Sequence, residues 1–179
     1  MATAKVLIAE VRRIVQDVSY NDSDILGFLN QAVQEVAGDP RVLLPSLEDQ
    51  DDVTTSTTLS YVALPSDYQR NLFYCYNASK YWPVKIYASL GMLQRQFSRL
   101  DQGGAIVGVA VKGTNIHYQR IPSAAETLTL NFYRKPTDMT LLTGTPDGIP
   151  DHLQKALLVN HAASEIYSEI EQDITGQKI

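Results

Sequence analysis

The spacing of apolar residues changes in kind after Pro40, and this change constrains the fold more than any other feature of the chain. Before it, apolar residues recur every three or four positions in two runs, which predicts two helices. The first run is Leu7, Val11, Ile14 and Val18, and the second is Ile25, Leu29, Ala32 and Val36. A polar cluster at residues 21–24 separates the runs and can cap a helix start. Gly38 and Pro40 then end the second helix. The sequence therefore predicts an antiparallel helical hairpin over residues 1–38.

Beyond residue 52 the chain consists of short runs rich in β-branched and aromatic residues, separated by Pro, Asn, Asp and Ser. The runs predict strands at residues 53–56, 59–64, 73–76, 84–87, 106–112, 115–120 and 128–133. Gly113 and Thr114 are placed to turn a hairpin, which we expect strand 128–133 to join. Ser89 can cap a short helix that Gly103 and Gly104 would end. We predict an antiparallel β-rich module over residues 53–135 that contains one short helix.

A third helix is predicted over residues 150–171, followed by a polar tail at residues 172–179. Pro150 and Asp151 favour a helix start, because proline is preorganised there and an acidic side chain suits the positive end of the helix dipole. The expected apolar face consists of Ala156, Val159, Ala163, Ile166, Tyr167 and Ile170. With 179 residues, the chain is expected to be one α+β domain in which the hairpin and the last helix pack as a small bundle.

Several classes of protein are disfavoured by composition. Hydrophobic residues make up 44% of the chain and charged residues 20%, which is typical of a folded globular protein. Cys75 is the single cysteine, so no disulfide framework or cysteine-based zinc site is expected, and it is predicted to be a packed strand residue. We expect no secretory signal and no membrane span, and synthesis and residence in a cytoplasm.

A search for catalytic or metal-binding motifs gives no candidate catalytic residue, metal site or cofactor site. His152 and His161 are nine residues apart on one predicted helix, so they point to opposite faces. Residues 48–52 hold four carboxylates but lack the glycine and closing glutamate of a calcium loop, and a solvated loop is the expected structure. A metal-dependent enzyme that uses this loop is the weakest of three functional hypotheses.

Charge is distributed unevenly along the chain. Residues 1–69 carry a net charge of −7, residues 70–135 carry +7 and residues 136–179 carry −5. The cationic middle alternates with aromatic residues, among which we select four candidate partner contacts: Tyr81, Trp82, Arg134 and Lys135. This mixture is typical of protein interfaces and of nucleic-acid-binding surfaces. It is also compatible with lysine and arginine side chains that only protect the exposed face and edges of a sheet.

Six segments, taken in order, resemble the head-to-tail adaptor (connector or neck) proteins of tailed bacteriophages. They are residues 24–37, 64–70, 109–113, 122–128, 132–136 and 149–153, and the resemblance spans nearly the whole chain. The family has no catalytic residues, so the resemblance transfers none to this sequence. It implies a structural virion protein that needs no cofactor.

The resemblance also implies an assembly and its partners. Such adaptors form a ring, commonly of twelve subunits, below the portal protein, where they extend the DNA channel and present a surface to tail or nozzle proteins. Genomic DNA would pass through the channel without sequence-specific binding, and the protein would be made and assembled in the host cytoplasm and reside at the head-tail junction of the virion. Acidic helices would then repel the passing DNA, and the basic β-rich module would contact neighbouring subunits or the tail. The alternative function is a nucleic-acid-binding module that uses the basic, aromatic β-rich region.

Overall fold

A computed structural model describes residues 2–17, 19–140 and 143–176, with side chains of the last helix described up to residue 171. The helices are α1 (Ala4–Val15), α2 (Asp22–Gly38), α3 (Leu90–Gln96), α4 (Asp151–Gln154) and α5 (Asn160–Gly176). The strands are β1 (Glu48–Thr54), β2 (Tyr61–Ala63), β3 (Tyr68–Asn77), β4 (Trp82–Pro83), β5 (Lys85–Tyr87), β6 (Gly108–Lys112), β7 (Asn115–Gln119) and β8 (Thr127–Arg134). The chain divides into a helical unit, Met1–Leu47 with Lys135–Ile179, and a β unit, Glu48–Arg134.

The predicted N-terminal hairpin of helices is confirmed. Asn21 caps α2: its side chain accepts from the backbone N–H groups of Ser23 and Asp24, and the Asp24 carboxylate accepts from the Asn21 N–H at 3.1 Å. This reciprocal capping box satisfies N–H groups that have no partner inside the helix. The prediction for Val18 lies outside the described residues.

The C-terminal helix is present, but its buried face differs from the predicted one. Between α4 and α5 the helix widens into a π turn over Lys155–Val159. A π turn inserts one extra residue and rotates the flanking segments relative to each other. Ala156 and Tyr167, both predicted to be apolar contacts, are therefore exposed, whereas Leu158 and Ala162 are buried. Val159, Ala163 and Ile166 are buried as predicted.

One hydrophobic core holds the helical unit together. It joins Leu7 and Val11 of α1, Leu29 of α2, and Val159 and Ile166 of the last helix. The segment after the β unit contributes Met139 and Ile149 as well. Met139 is 4% exposed within this core, and the side chain of Asn30 donates to its carbonyl at 3.2 Å and accepts from its N–H at 2.8 Å.

A close approach between two loops of the helical unit requires glycine. Gly148 has a φ of +79°, and a Cβ at this position would lie within 3 Å of the Leu47 side chain. The Ser46 hydroxyl donates to the Gly148 carbonyl at 3.0 Å. Any L-residue at this position would combine an unfavourable backbone conformation with a steric clash.

The β unit contains two four-stranded sheets, ordered β1-β8-β3-β4 and β2-β7-β6-β5. The predicted β6–β7 hairpin is confirmed, with Lys112 opposite Asn115. The strand at 128–133 does not join it, because β8 pairs with β1 and β3 in the other sheet. The sheets are antiparallel except for the β5–β6 pair, which is parallel. Helix α3 starts at the predicted cap, Ser89, but ends at Gln96, before the two glycines.

A second core lies within the β unit and draws on both sheets. β8 contributes Leu128, Leu130 and Phe132, each fully buried, because alternate residues of a strand share one face. The other sheet contributes Ile116 and Tyr118. Cys75 lies in this core at 1% exposure, as predicted for a packed strand residue. Burial raises the pKa of its thiol to about 12.

None of the helices in the described part of the chain is long and apolar enough to cross a membrane.

Candidate partner-binding surface

The four predicted partner contacts fall in two separate places. Tyr81 and Trp82 lie at the turn between β3 and β4, and this turn is tied to the start of β8, where the Ala78 N–H donates to the Thr127 carbonyl at 2.9 Å. Arg134 is the last residue of β8, and Lys135 follows it. At about 3.3 Å per residue, the eight residues of β8 separate its ends by about 23 Å. The four residues therefore cannot form one small contact patch.

The β3–β4 turn presents its two aromatic residues in a fixed backbone conformation. We call residues 77–82 the aromatic tip. The Tyr81 N–H donates to the Asn77 carbonyl at 2.8 Å, and the Lys80 N–H donates to the Asn77 side chain at 3.1 Å. Tyr81 has a φ of +61°, which is unfavourable for a residue with a bulky side chain. Its side chain is 83% exposed and that of Trp82 is 38% exposed.

A buried carboxylate supports the aromatic tip from below. Asn77 is fully buried, and its side-chain amide donates to the Glu126 carboxylate at 2.6 Å. The Lys80 ammonium lies 3.8 Å from the other oxygen of Glu126. Thr55 fixes the Glu126 backbone, donating to its carbonyl and accepting from its N–H at 3.0 and 2.9 Å. Bonds to buried charged groups are among the stronger hydrogen bonds in proteins, so this network holds the turn in place.

More aromatic side chains lie on β3, the strand that leads into the tip. Tyr74 and Tyr76 stack with their ring planes 9° apart and their centroids 6.4 Å apart, and Tyr74 is 45% exposed. Phe73 is also exposed and contacts the ring of Tyr133. Tyrosine and tryptophan are enriched at the centres of protein interfaces because they bury a large area with few rotatable bonds. These residues lie within ten positions of the sequence, and the structure places them on one strand and the turn that follows it.

The acidic run at residues 48–52 is an edge strand, not the predicted loop. It forms most of β1, which pairs with β8 along its whole length. The backbone N–H groups of Gln50 and Asp52 donate to the side chains of the preceding residues, Asp49 and Asp51, at 2.7 and 2.8 Å. Charged side chains and N–H groups that already have acceptors protect an edge strand from pairing with another chain.

β1 also changes the charge balance of the β unit. Glu48–Arg134 contains eight Lys/Arg and seven Asp/Glu, a net charge of +1. Arg134 lies 3.7 Å from Asp49 across the β1–β8 pair. The Tyr133 hydroxyl donates to Glu48 at 3.0 Å, and burial together with this hydrogen bond raises the Tyr133 pKa. The basic character inferred for residues 70–135 is therefore balanced within the folded unit by a strand that precedes them in sequence.

The same strand geometry disfavours a metal centre in the acidic run. Successive side chains of a strand point to opposite faces, so the four carboxylates of residues 48–52 cannot converge on one ion. The described residues contain no group of three or more histidine, cysteine or carboxylate side chains arranged to hold a metal. His117 packs against the Tyr61 ring, and burial followed by the charge of Lys112 lowers its pKa.

Three residues that support the tip were not among the predicted contacts: Asn77, Lys80 and Glu126. One signal was available: Glu126 is one of only two acidic residues in the stretch 70–135. One of two carboxylates among nine cations is a candidate for a buried, hydrogen-bonded role. Its partner Asn77, however, lies 49 residues away and is identified only by the register of the sheet.

Comparison with protein-family models gives a match to the family described as SU10 adaptor protein, over residues 2–177. A comparison with curated protein sequences gives no match.

Proposed function

Because the chain belongs to the SU10 adaptor protein family, a family of phage head-to-tail adaptors, we propose that it forms a ring below the portal, extends the DNA channel and docks the tail. A structural adaptor role in the virion and contact with portal and tail components follow from the family itself. Three features belong to the proposal: a ring, expected to have twelve subunits; the passage of DNA through it; and assembly in the host cytoplasm. We propose that the protein acts through its surfaces and not by catalysis.

The charge of the helical unit supports a position along the DNA path. This unit holds seven Lys/Arg and thirteen Asp/Glu, a net charge of −6. A channel wall of this sign repels phosphates and so reduces the binding of passing DNA, whereas a positive wall would bind it. We place the helices towards the channel and the portal on this ground.

The aromatic tip supports a docking role for the β unit. Tyr81 and Trp82 are exposed, and the hydrogen bonds of Asn77 and Glu126 hold the turn before any partner arrives. A preorganised contact loses little conformational entropy on binding. We assign the aromatic tip to contact with a neighbouring subunit or a tail protein, and Arg134 and Lys135 to a second contact at the other end of β8.

The observation that carries the proposal is the family match along nearly the whole chain. Its test is to mix the purified protein with the portal protein of the same phage and to image the product by electron microscopy. We expect a ring of this chain coaxial with the portal. Portal rings that remain bare at saturating adaptor concentration would contradict the proposal.

Variants of the tip test the docking assignment. Tyr81→Ala and Trp82→Ala should each weaken ring formation or tail attachment by about 1–2 kcal/mol, the range of a central aromatic contact. Met92→Ala is the matched control, because Met92 is 51% exposed and lies on α3 of the same unit. Equal assembly by all three variants would show that the aromatic tip is not part of the docking surface.

The alternative function is a nucleic-acid-binding module. The charge of the β unit gives it little support, because β1 brings the net charge of the unit down to +1. It predicts that the isolated protein binds DNA with an affinity that falls steeply with added salt.

A further inference from the structure

The two edges of the β unit carry opposite charges. The first edge consists of β1 and β2, which are the terminal strands on one side of the two sheets and lie next to each other. They come from residues 48–67, a stretch that contains five Asp/Glu and no Lys/Arg. We call β1 and β2 the acidic edge.

The opposite edge is cationic. It consists of β4 and β5, the terminal strands on the other side of the same sheets, and Val84 alone separates them in the chain. They come from residues 68–100, a stretch that contains five Lys/Arg and no Asp/Glu. We call β4, β5 and the aromatic tip the basic edge. Three spacings of about 4.8 Å separate β1 from β4, so the two edges lie about 14 Å apart on opposite sides of one unit.

Several charges on each side are not compensated within the chain. Asp51 and Asp52 are exposed, and no lysine or arginine of the described residues forms an ion pair with either. Lys85 of β5 and Arg95 of α3, the helix that follows β5, are also exposed, and neither forms an ion pair with a described residue. These charges are therefore available to a partner.

The structure of the acidic edge limits what can bind there. The backbone N–H groups of Gln50 and Asp52 already have acceptors, so the addition of another strand is disfavoured. Five acidic residues repel the phosphates of a nucleic acid. Contact through the carboxylates favours a cationic protein surface, because opposite potentials across an interface set both the partner and its orientation.

We propose that the acidic edge of one copy of this chain binds the basic edge of the next copy. In this contact the carboxylates of Asp51 and Asp52 face the ammonium group of Lys85, and the aromatic tip packs beside them. The inference rests on the ring proposed above and names its subunit contact. The charges select a second copy as the partner, because each copy carries both charge sets on opposite sides of one unit. A head-to-tail contact of this kind forms a ring when the rotation between copies closes.

Charge reversal on each edge tests the contact. The acidic-edge variant is Asp51→Lys/Asp52→Lys, and the basic-edge variant is Lys85→Glu/Arg95→Glu. Either variant alone brings like charges together, so its self-association at low salt should be weaker than that of the wild type by about tenfold or more. An equimolar mixture should recover the wild-type affinity, because copies that alternate between the two variants have opposite charges at every contact. Sedimentation velocity measures the association.

The matched control is Lys112→Glu/Arg120→Glu. It makes the same change of charge as the basic-edge variant, on exposed residues at the ends of the inner strands β6 and β7. It should associate as the wild type does, and circular dichroism checks that every variant is folded. Self-association of both edge variants with the wild-type affinity, or a mixture that associates no better than either variant alone, would overturn the proposal.

The same variants mixed with the portal protein separate this contact from the proposed function. If the wild type assembles only on the portal, the mixing test is read from the number of chains on each portal ring. Complete rings on the portal with the wild type and with each edge variant alone would leave the proposed function and overturn the contact. Self-association that charge reversal abolishes and the mixture restores, together with bare portals, would support the contact and contradict the proposed function. A wild type that is monomeric both in solution and on the portal would overturn the contact.

Discussion

The helical unit and the β unit differ in how their cores are encoded. In the helical unit, the buried residues of α1 and α2 follow a three-to-four spacing that is visible in any short window of sequence. In the β unit, β8 pairs with β1, which begins 79 positions earlier in the chain, and its fully buried residues alternate with half-buried ones. The comparison shows that periodicity identifies the elements of both units but identifies the packing partners only in the first.

The largest expected effect tests whether the two cores are separate. Phe132→Ala in the β unit should lower the free energy of unfolding by about 3–5 kcal/mol, and Leu29→Ala in the helical unit by about 2–5 kcal/mol, since both side chains are fully buried. Cys75 reports on the β unit, because its raised pKa and burial keep the thiol unreactive while its core is closed. Phe132→Ala should accelerate labelling of Cys75, and Leu29→Ala should not.

Circular dichroism supplies the control for these two variants. On mild heating, Leu29→Ala should lose helical signal before Cys75 becomes reactive. If both variants expose Cys75 at the same temperature at which helix is lost, the two units unfold as one and the comparison fails.

The next effect concerns the support of the aromatic tip. Glu126→Ala should cost about 1–3 kcal/mol, because it leaves the buried Asn77 amide without an acceptor. Glu126→Gln keeps an acceptor and should cost less. Trp82 is the single tryptophan, so its fluorescence reports on the tip directly. Glu126→Ala should shift the emission of Trp82, and Glu126→Gln should preserve it; identical spectra and stability for the two variants would show that Glu126 does not hold the turn.

Prediction from sequence succeeds here where the signal is local. The capping by Asn21 and Ser89 and the turn at Gly113 are chemical choices of a few adjacent residues, and the structure has each of them. The acidic run at 48–52 is predicted to be a loop, and aspartate and glutamate are indeed depleted in strands. The pairing of β1 with β8, and the carboxylates that cap its edge N–H groups, override that propensity.

The candidate surface was predictable only in part, for the same reason. Tyr81 and Trp82 could be chosen because exposed aromatic residues next to cations are typical of interfaces. Their distance from Arg134, about 23 Å along β8, depends on strand register and could not be read from residue types. The π turn at Lys155–Val159 is a comparable case, because the spacing of apolar residues does not predict the insertion of one extra residue in a helix.

A smaller effect distinguishes Arg134 from Lys135. Charge reversal at both residues is expected to weaken attachment to the tail or to a neighbouring subunit. Arg134→Glu should also lower stability by up to about 1 kcal/mol, because it places two carboxylates together where an ion pair to Asp49 now stands. Lys135→Glu should change stability less, since Lys135 is exposed. Thermal unfolding and assembly at low and high salt measure both properties, and unchanged assembly by Lys135→Glu would exclude that residue from the contact.

The smallest effect lies in the helical unit and depends on pH. A hydrogen bond from Gln31 and, to a lesser extent, the contact with His161 at 2.7 Å lower the pKa of Glu35 from its ordinary value of 4.5. A carboxylate whose folded pKa is lowered stabilises the protein above its unfolded pKa and loses that contribution as the pH falls through the folded pKa. Because Glu35 is half exposed, we expect the contribution to stay below about 1 kcal/mol. The free energies of unfolding in urea of the wild type and of Glu35→Gln should therefore differ at neutral pH and converge in acid.

The His161 contact joins α2 to α5 within one unit, so the convergence should be seen in the helical signal and not in the reactivity of Cys75. A pH-dependent change in Cys75 labelling would again show that the two cores are coupled.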